Sequence, residues 1–400
     1  VVINTVSETG RLLAAAAMDL SGHLAAYGPA PAATGRLIET VEAAGLTGRG
    51  GAGFPTHRKL AAVAAAGGQP VVIANGAEGE PASAKDRTLL ARSPHLVLDG
   101  LQLAAGAVGS RQAHVYLPEA AVASVTAALA QRRAAGLDRV DVAVRVAADT
   151  FVAGEESAVV AAVSGGRPVP RDKTRRVVES GVGGAPTLVQ NVETLAQLAL
   201  IARYGPAWFR ARGTATEPGT FLATVSGSVA APGVYELPYG APLGELVSAA
   251  GGPSAVVRAV LVGGYHGAWV PANPDLPFSR AGLAPFGATP GAGVAVVLPS
   301  TACGLVATAR AASYLAGQTA GQCGPCVNGL PRLADTLAAL AHRRPYRGAD
   351  LHAEVRRLAA LVTGRGACRH PDGTVRLIRS ALSFFATDVT AHLSGRCLAA

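Results

Sequence analysis

The spacing of apolar and polar residues changes character three times along this chain. Between about residues 36 and 216, stretches with a helical period alternate with short apolar runs. "GRLIETVEAAGL" keeps its apolar residues on one helical face, and "THRKLAAVAAAGG" reads as a helix stopping at paired glycines. "QPVVIANGAEGEP" reads as a buried strand that opens into a loop. "RTLLARSPHLVLDGLQLAAGAVG" and "EAAVASVTAALAQRRAAG" are helical, whereas "QAHVYLP" and "VDVAVRVAA" are strands. This alternation predicts a parallel sheet with helices on its faces, an α/β domain.

Past "TLAQLALIARYGPAWF" the texture shifts. Over residues 217–299, short strand-like runs such as "GTFLATVSGSV" and "RAVLVGGYHGAWVP" are punctuated by Gly and Pro, with one short helix between them. That predicts a small α+β domain. From 300 to 400, "LVATARAASYLAG", "LPRLADTLAALAHR", "LHAEVRRLAALV" and "VRLIRSALSFFATDVTAHL" predict a helical bundle. Residues 1–35 precede the first domain as an extension, and no tandem repeat or low-complexity linker is visible.

Composition narrows the classes. No uninterrupted apolar run approaches the ~20 residues of a membrane helix. The first twenty residues lack the basic start, apolar stretch and cleavage site of a signal peptide. The expectation is a soluble, cytoplasmic chain without membrane insertion. The formal charge is +9, mostly arginine, but it is scattered and not interleaved with the scarce aromatics, 4% of residues. A basic docking face or anionic cofactors therefore suit it better than nucleic acid. The five cysteines, Cys303, Cys323, Cys326, Cys368 and Cys397, sit late in the chain. Their odd number favours a metal or redox site over a disulfide frame.

Four stretches carry candidate chemistry. "GRGGAGFPTHRKL", from Gly48 to Leu60, brings a glycine-rich loop to the start of a helix, with Arg49 and Lys59 nearby. Such a loop is either a phosphate cradle or a structural turn. "NGAEGEPASAKDR" follows a buried strand, so Asn75, Glu78 and Glu80 stand where open α/β sheets bind ligands, or else form a solvated acidic loop. In "FVAGEESAVVAAV", Glu155 and Glu156 complement a helix dipole, serve acid–base chemistry or contact a ribose. The Cys-x-x-C of Cys323 and Cys326, with Cys368 beyond, fits part of a cluster or zinc site, a redox dithiol, or a buried thiol pair.

In this order, "GRGGAGFPT..K", "N..E.EP....KDR", "FVAGEESA", "PTLVQNVETL", "CGPC..G" and "SALSFFATDVTAHL" resemble the flavoprotein F-subunit family of NADH–quinone oxidoreductase, respiratory complex I. The family includes related diaphorase subunits, and the first two motifs also look like the C-type subunit of the electron-transport complex. The resemblance runs from about residue 36 to 393. It implies a Rossmann-like FMN-binding domain, an SLBB-type β-grasp domain and a helical iron–sulfur domain, in an NADH dehydrogenase-like oxidoreductase. Gly48, Arg49, Gly50, Gly51 and Lys59 would hold the FMN phosphate and ribityl oxygens. Asn75, Glu78, Gly154, Glu155 and Asn191 would hold the ring and ribityl chain. NADH would stack near Phe54, contacting Glu80, Glu156 and Lys173. Electrons would pass through an iron–sulfur cluster to a ferredoxin-like or complex I-like partner, with the chain cytoplasmic or peripheral on the inner face of a membrane through such partners.

Four positions depart from the family pattern. Ala77 replaces an Asp near the flavin, and Gln190–Asn191 replaces paired Asn. "KTRRVVES" replaces an adenine-binding Pro-Pro-aromatic-Pro, with Arg176 at about the aromatic position, where a guanidinium can also stack. NADPH is a second nucleotide choice there, beside Arg175 and Arg176. In the cluster motif Cys323, Cys326 and Cys368 match three ligands, but Ala320 stands where the first Cys belongs. Three thiolates suit a [3Fe–4S] cluster, or a [4Fe–4S] cluster completed by another donor, among which Cys303, Cys397 and His370 are candidates. The alternative is a degenerate flavin-binding scaffold without NADH turnover.

Overall fold

In the computed structural model, residues 10–31, 35–172, 174–345 and 350–399 are described. The first region holds helices α1 (Leu20–Tyr27), α2 (Leu37–Ala44) and α3 (Thr56–Ala65), then β1 (Val71–Asn75). It continues through α4 (Lys85–Arg92), α5 (Pro94–Val108), β2 (Gln112–Leu117), α6 (Val122–Ala134) and β3 (Val142–Val146). It closes with α7 (Glu156–Val163), β4 (Thr187–Asn191) and α8 (Val192–Arg210). The four strands pair in parallel in the order β3-β2-β1-β4. The central β1 is "VVIAN", buried on both faces except at its last residue, which is why its sequence is a continuous apolar run and not an alternating one. One face packs on α5 and α8; the other is covered by α7 through Ile73, Tyr116, Val159 and Val189.

Glycines follow three of these helices, and for α3 they are the stop that the sequence predicts. Gly45 and Gly109 take left-handed backbone after α2 and α5, and α3 stops just before Gly67 and Gly68. The long apolar pattern of α8 hides a break: Gly205 has φ of 81° and Pro206 follows, so the last turns run in a new direction.

The second region is a mixed sheet of β5 (Thr220–Gly227), β6 (Gly233–Pro238), β7 (Val257–Val262), β8 (Ala268–Pro271) and β9 (Val294–Pro299). Its order is β6-β5-β9-β7-β8, with β5 and β9 parallel and the other pairs antiparallel. It carries two short helices, α9 (Leu243–Ala249) and α10 (Arg280–Leu283), where the sequence pattern predicts one. Four residues of α10 are too few for a periodic signal.

Helices α11 (Gly304–Gly317), α12 (Leu330–Ala341), α13 (Leu351–Val362), α14 (His370–Phe384) and α15 (Ala386–Leu393) complete the described chain. They do not close a core of their own. Leu261, Trp269 and Leu298 of the second sheet enter the same apolar cluster as Leu305, Leu337 and Ile378. The Trp269 indole N–H donates to Thr308 Oγ1 at 2.9 Å and its amide to Ser380 Oγ at 2.7 Å. The bundle is therefore bolted to the β-grasp sheet. Among the described residues no helix is long and apolar enough to cross a membrane.

The first region has its own buried polar anchor. Asp99 on α5 is buried and accepts from Arg132 of α6 at 2.7 Å, from His23 of α1 at 2.9 Å and from Arg203 of α8. Burial alone would raise the Asp99 pKa, but the His23 hydrogen bond and the two guanidinium charges outweigh it and hold the carboxyl well below its usual range. Its stabilising contribution is complete above the ordinary Asp range and is lost as pH falls toward the depressed value. Asp99→Asn leaves two guanidiniums under-compensated in the interior and is expected to cost about 3 kcal/mol or more in urea unfolding at neutral pH.

Candidate functional site

The glycine-rich loop is held as a closed bow. Thr47 and Pro55 form an isolated bridge, Gly48 N–H donates to Phe54 O at 2.9 Å, and Thr56 N–H donates to Leu46 O at 2.9 Å. Between these ties Gly51 and Gly53 take φ of 105° and 64°, which side chains disfavour. A Cβ on Gly50 would come 3.5 Å from Asn191 Cβ, so the loop lies directly against the end of β4. The chain then enters α3, whose positive end and Lys59 face a cleft of about 740 Å³.

Strand register builds the opposite wall. Val71 pairs with both Gln112 and Thr187, which puts Asn75 beside Asn191 at the carboxyl edge of the sheet. Asn75 Nδ2 donates to Gly154 O at 2.9 Å, tying the 151–154 turn to that edge. Asn191 caps α8 by accepting from Glu193 N–H, and its Nδ2 donates to Asp86 at 2.8 Å. The paired acidic residues divide their work. Glu155 caps α7, whereas Glu156 reaches across the cleft to Lys59 Nζ at 2.7 Å.

Glu78 is folded back into the protein, accepting from Ser83 Oγ at 2.7 Å and Asp86 N–H at 3.0 Å, and burial beside Asp86 raises its pKa. Glu80 accepts from Tyr265 N–H at 2.8 Å and Ala82 N–H at 3.1 Å; burial pushes its pKa to about 7. Phe54 is half exposed at the cleft, and Ala77 lines it. Arg49 is placed differently from the phosphate role the resemblance implies. Its amide donates to Thr194, and its buried guanidinium donates to Pro218 O and Thr220 O and stacks over Tyr239. Arg176 lies on the surface, paired with Glu179, and Lys173 falls outside the described residues.

The third wall comes from the helical region, and it includes Cys368, His370 and Arg376. Phe151, His266 and His370 form an aromatic triangle with ring centroids 4.6, 5.3 and 5.1 Å apart. Cys326 sits on a π-helical turn, Pro325–Gly329, and Cys323 just ahead of it, where its carbonyl accepts from the amides of Cys326 and Val327. Burial, with Cys323 and Cys368 beside it, pushes the Cys326 thiol up to about 12. Thiols that interact in this way are a donor set that a cationic centre converts to thiolates. Ala320 lies in the loop ahead of them. Cys303 stands at the start of α11 and Cys323 beyond its end, roughly 20 Å away by helix rise, so Cys303 belongs elsewhere.

Known proteins share this arrangement. The Nuo51 FMN-binding domain matches residues 41–200, the SLBB domain 222–262, and the NADH-ubiquinone oxidoreductase-F iron–sulfur binding region 306–392. The NADH-quinone oxidoreductase F 2 subunit of Rhizobium meliloti is 32% identical over 377 residues, covering 90% of this chain and 89% of that protein. The chain belongs to the F-subunit family of NADH-quinone oxidoreductases. The Escherichia coli F subunit is 29% identical over 89% of this chain and 84% of that one. An NAD+-reducing [NiFe]-hydrogenase in its H2-reduced state superposes with a TM-score of 0.82 at 33% identity. That match covers 89% of this chain but only 62% of the hydrogenase chain.

The residues present fit the family's cofactors. Gln190 Nε2 and His266 Nε2 are buried, line the cleft and lack a partner among the described residues, so they offer polar contacts to a ligand. Glycines at 48, 50, 51 and 154 leave its wall bare of side chains, and the volume is that of an ordinary cofactor pocket. Sequence reasoning did not single out Lys85, Asp86 and Glu193. Lys85 Nζ is buried between Asp86 at 2.6 Å and Glu193 at 3.0 Å beneath the cleft. The signal was present in "KDR" and "VET", which pattern alone marks as family motifs and not as one ion network.

Glu80 makes a pH prediction. Between 4.5 and about 7 the folded protein holds a proton that the unfolded chain releases, so stability falls as pH rises through that window. The fall amounts to on the order of 3 kcal/mol from this group. Glu80→Gln should flatten that slope in unfolding measurements, leaving the similar slope of Glu236, which burial also pushes to about 7.

Proposed function

We propose that this chain takes electrons from NADH at the glycine-rich cleft and passes them through an iron–sulfur centre to a partner electron-transfer protein. The observation that carries this reading is that Cys368, one of the three clustered cysteines, also lines the cleft. The FMN that these residues would hold would supply hydride acceptance and one-electron release, chemistry the side chains lack. The protein's own task is then positioning. Gly48, Gly50, Gly51 and Lys59 would hold the FMN phosphate and ribityl oxygens, the Lys59–Glu156 pair opening to a phosphate. Asn75, Glu78, Gly154, Glu155, Gln190 and Asn191 would frame the ring side. Phe54, with Glu80 and Glu156, would receive the nucleotide. Arg49 serves by joining the loop to the second sheet. Cys323, Cys326 and Cys368 would ligate the cluster, with Ala320 in place of a fourth thiol. We take 36–216, 217–299 and 300–400 as the functional units and the chain as cytoplasmic, peripheral to a membrane only through partners.

Anaerobic reconstitution with FMN, iron and sulfide, followed by NADH, tests this. The flavin absorbance should bleach and a cluster EPR signal appear. Flavin that stays oxidised with both NADH and NADPH would favour a scaffold instead. Lys59→Ala should weaken FMN binding about tenfold to a hundredfold, since a charged hydrogen bond is worth about 1.5–3 kcal/mol. Cys326→Ala should lose iron yet keep flavin bleaching. Ala320→Cys should change the EPR signal to that of an ordinary four-iron cluster; an unchanged signal and iron content would sink the assignment of Ala320.

A further inference from the structure

At the far end of α11 from the clustered cysteines, a second set of soft donors converges. Cys303 immediately precedes α11, His392 is buried in the last turn of α15, and Cys397 lies in the irregular segment that follows α15. Cys303 Sγ is 3.5 Å from His392 Nε2, and the two sulfurs and a ring nitrogen of His392 all lie within 4.8 Å of one another. The other ring nitrogen, Nδ1, faces Leu340 O at 3.2 Å. A carbonyl only accepts, so Nδ1 carries the proton and Nε2 turns its lone pair toward the thiols. That is the orientation in which a histidine ligates a metal, with its remote N–H held by a carbonyl.

We propose that Cys303, His392 and Cys397 bind a zinc ion, separate from the iron–sulfur site. Tetrahedral zinc with ordinary Zn–S and Zn–N bonds sets nitrogen and sulfur about 3.5 Å apart and two sulfurs about 3.8 Å apart. The observed spacing already meets the first figure. Two thiolates and a neutral imidazole cancel the ion's double charge, so the complete site is neutral, as a partly buried corner requires. Binding releases both thiol protons to solvent, Zn²⁺ replacing two S–H hydrogens with no change of oxidation state. Asp388, one turn before His392, is held by Arg258 at 2.5 Å, which leaves the fourth position to water or a small exogenous ligand. Arg258 also donates to Ala302 O, next to Cys303. Zinc would therefore pin the segment after α15 to the start of α11, at a corner already braced by this arginine.

The full chain, purified anaerobically without affinity metals, decides the matter by elemental analysis and zinc titration. About one zinc per chain is expected, with a thiolate-to-metal charge-transfer band when cobalt(II) is substituted. Cys397→Ala, in an irregular segment, and Cys303→Ser, where serine suits a helix N-terminus, should each abolish that equivalent while iron content and NADH bleaching stay unchanged. Conversely, Cys326→Ala should lose iron and keep zinc. Wild-type protein that binds no zinc, zinc that survives Cys397→Ala, or a Cys303–Cys397 disulfide found by intact mass in the fresh protein would each overturn the proposal. None of these outcomes bears on whether NADH reduces the flavin.

Discussion

A buried ammonium group holds the junction on which this architecture turns. Lys85 enters the interior at the first turn of α4, where burial opposes its charge, but Asp86 and Glu193 outweigh that cost and raise its pKa. Glu193 stands in the first turn of α8 and also accepts the amide of Leu222 from the second sheet at 3.0 Å. Arg49 supplies a second positive charge near Glu193 and donates to carbonyls at 218 and 220. Two cations and two anions thus join the glycine-rich loop, the carboxyl edge of the parallel sheet and the first strand of the β-grasp domain. Loss of any one member would leave the others uncompensated in low dielectric, so the cluster behaves as a unit.

With that junction set, the cleft has no freedom to drift. Asn191 is fixed at once by strand register, by capping α8 and by Asp86, and the glycine-rich loop leans on it. The third wall arrives from residues far later in the chain, because the helical region shares its apolar core with the second sheet. Cys368 is delivered to the cleft by this packing, and the Phe151–His266–His370 triangle fills the space between regions. A flavin-type pocket and a thiol cluster become neighbours without adjacency in sequence.

Much of the fold was legible from period and punctuation. The strand β1 reads as buried because both its faces are covered, and helix α3 ends just before paired glycines as its pattern predicts. The break at Gly205 and the four-residue α10 were not legible, since each is shorter than the window in which a period can be seen. At the site, motif order pointed to residues that line one cleft, while their tasks separated only in three dimensions. Glu155 and Glu156 are identical in sequence terms, yet one caps a helix and the other spans a cleft. Arg49 sits in a phosphate-like loop, yet its guanidinium is drawn to backbone carbonyls 169 and 171 residues away in sequence.

By itself the sequence determined the three textures of the chain, the family and the residue types available for chemistry. These follow from local period, glycine placement and motif order, all of which operate over a few residues. Tertiary structure decided which donors meet. Five cysteines of similar standing were sorted into a trio near the cleft and a pair with His392 at the opposite end of a helix, because α11 is a rigid spacer between them. That sorting depends on helix length and shared core packing, which no short stretch of sequence contains.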